Sequence, residues 1–203
     1  MTIMTITQNL TGIWNGETVA VLGSGPSLTR EIADELSAHR RIAVNHAIAL
    51  APGADMLVAL DGDWPAEFRE FPGLRVIGCE DESIDAIYIG HKHDLVEIGT
   101  NHSIYIRNSG LTAIRIAADA GAARIILAGF DPETSGHFDG YPIDEPGEQY
   151  TGLAAGINAL IEQLRARGIA VERATESAGN LHGADATAAP STDENADVDG
   201  LGQ

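Results

Sequence analysis

Two rhythms of apolar and polar residues divide this chain. Short, nearly unbroken apolar runs recur along it: Thr18–Gly23 (TVAVLG), Arg41–Ile48 (RIAVNHAI), Ala54–Asp61 (ADMLVALD), Leu74–Cys79 (LRVIGC), His102–Arg107 (HSIYIR), Arg124–Asp131 (RIILAGFD) and Ile169–Thr175 (IAVERAT). Runs of this kind read as strands covered on both faces. Between them the apolar spacing becomes helical. Ser27–His39 carries Leu28, Ile32 and Leu36 in one stripe, while Ser109–Ala122 and Gly147–Gly168 read as helices that stop at Gly121 and Gly168.

Strands alternating with helices predict an α/β fold: a Rossmann-like three-layer sandwich, mostly parallel, with helices on both faces. In such sheets ligands sit beyond the carboxyl ends of the strands. Here those ends are Gly23–Ser27, Asn45-His46, Asp61-Gly62-Asp63, Arg107-Asn108-Ser109-Gly110 and Gly129-Phe130-Asp131. All are glycine-rich or polar, which points to a ligand cleft on one edge.

Chain length sets the domain count. The 203 residues suit one domain. Residues 1–16 read as an N-terminal segment, 17–183 as a single Rossmann-like domain, and 184–203 as a disordered acidic tail, since ADATAAPSTDENADVDGLGQ has no lysine, arginine or aromatic residue. The net charge of −18 argues against a nucleic-acid partner. It still allows a small anion held by local N–H groups or arginines. The lone Cys79 permits no disulfide within the chain and fits a reducing compartment. The opening MTIMTITQNLTGIWNG has no basic segment ahead of an apolar run, so it does not read as a signal peptide. No apolar run approaches the ~18–20 residues that span a bilayer. The expectation is a soluble, cytoplasmic protein without a membrane or nucleic-acid partner.

Local chemistry then singles out residues. In GSGPSL, Gly23 and Gly25 permit close backbone approach, Pro26 suits a helix's first turn, and Ser24 or Ser27 is a candidate cap and phosphate donor. A plain strand-to-helix turn is the alternative. Asp61 and Asp63, just past a strand, are candidate Mg²⁺ ligands or an Asp-Gly turn. Asn108 or Ser109 caps the helix that begins with Gly110, beside Arg107. Asp131 stands where a ribose or base contact is expected, and His137, next to Asp139 and Tyr141, is a candidate general base or a surface histidine. His91, His93 and His102 lack the partners of a zinc site. There is no Walker lysine motif, no G-x-S-x-G elbow and no repeat.

The order VLGSGPSL, AVNHAI, NSGLTAIRIAADAGAARIILAGFD resembles the MptE-like superfamily (6-hydroxymethylpterin diphosphokinase-like, the DUF115 domain) across roughly Thr18–Thr175. In motif order it also resembles the family 42 sialyltransferases, and small phage and prophage proteins of the same kind exist. The resemblance implies that Gly23, Gly25, Ser27, Asn45, Ser109, Gly110, Gly129 and Asp131 surround a nucleotide, with Ser24 and Asn108 in the same loops. It implies His137 as the catalytic histidine, with Tyr141 and Tyr150 as phosphate-assisting tyrosines, and Asp61 and Asp63 as acids holding Mg²⁺ against ATP. The implied activity is Mg²⁺-dependent pyrophosphoryl or phosphoryl transfer from ATP to a small hydroxylated acceptor. The alternatives are a metal-independent glycosyltransferase using a nucleotide sugar and a nucleotide-binding module without chemistry. Relatives of this type often self-associate, so a homo-oligomer is possible.

Overall fold

The computed structural model describes residues 10–60, 67–78, 86–88, 95–97, 103–105, 108–131, 136–140 and 153–174. Asp61, Asp63, Cys79, His91, His93, His102, Arg107, Tyr141, Tyr150 and the expected acidic tail lie outside them. In chain order the elements are β1 (Thr18–Leu22), α1 (Arg30–Glu35), β2 (Arg40–Val44), β3 (Met56–Ala59), α2 (Glu67–Glu70), β4 (Leu74–Ile77), β5 (Ile87–Tyr88), β6 (Leu95–Glu97), β7 (Ser103–Tyr105), α3 (Ser109–Asp119), β8 (Arg124–Ala128), α4 (Leu153–Ala166) and β9 (Ala170–Arg173).

The fold is α/β and Rossmann-like. Seven strands lie in the order β5-β4-β3-β2-β1-β8-β9, and every neighbouring pair is parallel. Val21 sits between Ile42 and Leu127 in register. Successive strand residues point to opposite faces, and both faces are apolar. Val19 and Val21 pack with α3 and α4 through Ile114, Ile116, Ile157 and Leu164. Ala20 and Leu22 pack on the other face with Leu28, Ile32, Phe68 and Phe71. Burying each such large side chain contributes roughly 1.5–3 kcal/mol before the cost of ordering it.

Residues 10–16, part of the expected N-terminal segment, join this body. Leu10 and Trp14 are buried, and Trp14 N–H donates to Ala120 O at 2.8 Å. Behind α3, burial holds the Arg115 guanidinium below its usual range and lifts the Asp119 carboxyl. Among the described residues no helix is long and apolar enough to cross a membrane.

Several boundaries differ from the sequence expectation. The strand expected to run to Ile48 stops at Val44, because Asn45 takes a left-handed backbone (φ 49°) that no strand accommodates, and a 3-10 turn follows over Asn45–Ala49. The helix expected from Ser27 begins at Arg30, capped by Thr29 rather than by Ser24 or Ser27: Thr29 Oγ1 accepts from Ile32 N–H. Pro26 lies not in the helix but in a turn closed by Leu28 N–H on Gly25 O at 3.0 Å. The HSIYIR strand pairs antiparallel with β6 in a separate ribbon rather than in the main sheet.

Candidate functional site

The chain starts at the sheet centre, steps outward from β1 to β5, then returns to lay β8 and β9 on the other side of β1. The direction reverses between β1 and β8. The carboxyl ends of two parallel strands with oppositely directed crossovers leave a crevice there. Gly23–Ser27 and Gly129–Asp131 follow those two strands, so the switch point carries the glycine loop and Asp131, the acid expected to contact a ribose or base.

These two segments touch without intervening side chains. Gly23 N–H donates to Ala128 O at 2.7 Å and Gly25 N–H to Gly129 O at 2.9 Å. The β1–β8 ladder thus runs one step beyond the strands. Gly129 has φ 68°, and a Cβ there would meet both Gly23 O and Leu28 Cβ. A Cβ on Gly25 would meet Gly129 O and Asp131 Oδ2. Only glycine allows this approach.

The loop departs from a free phosphate cradle in one respect. Asp131 Oδ2 accepts from Ser27 N–H at 2.8 Å, so the amides of Gly23, Gly25, Ser27 and Leu28 all donate within the protein. A carboxylate of the chain already occupies the position where an anion was expected.

Ser24 ties in the neighbouring strand. Its hydroxyl, buried, donates to Val44 O at 2.8 Å, and its carbonyl accepts from Phe138 N–H at 3.1 Å. One residue therefore joins the glycine loop, the end of β2 and the segment Gly136–Gly140. Asn45 comes next to Val44, and its backbone turn presents His46. His46 Nδ1 lies 2.8 Å from Asp139 Oδ2, and the rings of His46 and His137 are 5.7 Å apart, tilted by 59°. Burial, reinforced by the neighbouring His46, holds His137 below the ordinary imidazole value, against an opposing pull from Asp139.

The start of α3 reaches the same edge. Asn108 Oδ1 accepts from Leu111 N–H at 3.0 Å, which makes Asn108 the cap. Ser109 Oγ, buried, accepts from Leu60 N–H at 3.1 Å, pinning α3 to the residue that follows β3. Gly110 lies under the Phe130 ring: a Cβ there would stand 2.9 Å from Phe130 Cε1.

Gly23, Ser24, Gly25, Ser27, Asn45, Asn108, Ser109, Gly110, Gly129, Asp131 and His137 are thus linked along one edge. Asp61 and Asp63 lie outside the described residues, although Asp61 directly follows the pinned Leu60. Among the described residues no group of three or more His, Cys, Asp or Glu side chains is placed to hold a metal. The sequence reading missed the pairing of His46 with Asp139. Both residue types stood in segments already singled out, but a contact across 93 positions leaves no local signal.

A groove of about 200 Å³ lies between α4 and β9. Its guanidiniums are engaged, Arg165 with Glu162 and Val171 O, Arg173 with Phe130 O. Among the groove's described lining residues, Arg173 lies at the carboxyl end of β9. No protein-family model matches the chain, and no curated protein matches it either.

Proposed function

We propose that this protein is a nucleotide-binding transferase of the MptE-like type, taking its donor at the crevice between β1 and β8. The observation that carries the reading is the contact of Gly23–Ser27 with Gly129–Asp131 at the point where strand order reverses. With the amides of Gly23, Gly25, Ser27 and Leu28 already bonded, the loop acts as a close-packed floor. Asp131 then receives a ribose hydroxyl, an O–H donor that a carboxylate prefers to a phosphate.

Asp131 and Asp139 place two carboxylates at this edge, so a polyphosphate arriving beside them is favoured by a bound cation. Asp61 and Asp63 are hard oxygen donors suited to Mg²⁺. They would hold the ion, which when bound neutralises charge on the transferred group. The chain's own residues position the donor and acceptor, where most of the gain in such transfers originates. Pyrophosphoryl or phosphoryl transfer from ATP to a small hydroxylated acceptor fits best, in a cytoplasmic setting.

The contact of His46 with Asp139 favours a second reading, metal-independent glycosyl transfer from a nucleotide sugar, because a carboxylate-oriented imidazole can activate a hydroxyl without a metal. Product release from ATP with Mg²⁺, and from CMP- and UDP-sugars in EDTA, separates the two. Loss of all ATP turnover in Asp61→Asn with unchanged folding supports the first reading; unchanged turnover excludes it.

A further inference from the structure

Two histidines stand at this edge, and the geometry assigns them different tasks: we propose that His46, oriented by Asp139, is the base that takes the proton of the acceptor hydroxyl, and that His137, its ring neighbour, does not take it. The assignment rests on the transferase reading above.

His46 is held at three points. Its backbone leaves β2 through the left-handed Asn45, and Val44 is fixed by the Ser24 hydroxyl. Its Nδ1 is 2.8 Å from Asp139 Oδ2. A carboxylate only accepts, so this contact puts the imidazole proton on Nδ1 and leaves the Nε2 lone pair as the acceptor. Asp139 is fixed in turn. Phe138 N–H is bonded to Ser24 O, Phe138 packs against the core face that holds Ala20 and Leu22, and Gly140 N–H closes a turn on His137 O at 3.1 Å.

The step balances within this set. The acceptor O–H bond breaks and its proton goes to His46 Nε2. The oxygen's electron pair forms the new bond to the transferred group, and that group's bond to the donor oxygen breaks, leaving with the nucleotide. The imidazolium formed is paired with Asp139. It would be opposed by a second cation at the 5.7 Å ring separation. His137 avoids that opposition, because burial and His46 itself disfavour its protonation. Arg30 reaches this turn from α1, and its guanidinium donates to Ala49 O at the turn's far end. Asp139 is accordingly a positioning residue, and His137 preserves the environment rather than accepting the proton.

The test has three readouts on the full chain. Long-range ¹H–¹⁵N spectra of the neutral imidazoles report the tautomer: the proposal expects His46 protonated at Nδ1 in the wild type and at Nε2 in Asp139→Asn, whose amide N–H₂ donates instead. Product release from Mg²⁺–ATP and from CMP-sugar in EDTA should fall about 10²–10⁴-fold in His46→Ala and recover in part with added imidazole. His137→Gln should retain more turnover than His46→Ala. Thermal shift with the same nucleotides should persist in His46→Ala. Wild-type His46 protonated at Nε2, or turnover kept in His46→Ala and lost in His137→Gln, overturns the proposal. A wild type that binds nucleotide but releases no product also overturns it while leaving the binding reading intact. A wild type that no nucleotide shifts removes the transferase reading and this proposal together, whatever the tautomer.

Discussion

Asp131 Oδ2 accepts the Ser27 amide at 2.8 Å, so the glycine loop of this protein is closed by its own carboxylate. Two consequences separate on mutation. Asp131→Ala leaves the Ser27 N–H without its charged acceptor and should cost about 1.5–3 kcal/mol in urea unfolding. Asp131→Asn keeps an acceptor oxygen and should cost less than half as much. Both should weaken the nucleotide-induced rise in unfolding temperature. A destabilised Asp131→Ala that still binds nucleotide as the wild type does would confine Asp131 to a structural role and contradict nucleotide binding at this edge.

The close approach of Gly23 and Gly129 makes a second, purely structural prediction. Gly129→Ala forces a Cβ into a left-handed position against Leu28 and Gly23 O. The backbone and overpacking terms together predict a loss of about 2–4 kcal/mol. Gly136, also at positive φ but with nothing within 4 Å of an added Cβ, should lose less on the same change. Equal losses at the two sites, measured by denaturant midpoint, would contradict the contact.

His137 links stability to pH. Its folded value is held below the ordinary imidazole value of about 6.5. The unfolded chain therefore binds the proton more readily, and stability rises with pH across that window. The His137 contribution is present above about pH 6.5 and is lost as pH falls through the folded value. The wild type should lose more stability between pH 7.5 and 5.5 than His137→Gln does; His46 and Asp139, the groups that face it, are common to both proteins. An equal loss in the two would remove His137 as the source.

The strands of the main sheet were legible because VAVL (19–22) and IILA (125–128) are apolar at every position, as burial on both faces requires. HSIYIR reads as one of the same runs, but its strand stands outside that sheet. The ends were less legible. Asn45 and Thr29 decide where β2 stops and where α1 starts through backbone angles and one capping bond, neither of which changes the apolar pattern. At the site, the glycines announced close approach, but not what approaches. The partner of the Ser27 amide comes from 104 residues away and that of His46 from 93. Such contacts arise from topology, which brings β1, β2 and β8 to one edge.

The central claim is that this edge holds a nucleotide. Its most direct test is a thermal-shift panel of ATP, GTP, CMP, CMP-sugar and UDP-sugar, each with and without Mg²⁺, on the wild type and on Asp131→Ala. At a hundredfold excess over Kd, binding contributes about 2.7 kcal/mol, a rise of about 5–10 °C for a domain of this size. Such a rise is expected for at least one nucleotide in the wild type, together with its loss in Asp131→Ala. No rise with any nucleotide, or a rise undiminished by the substitution, would contradict it.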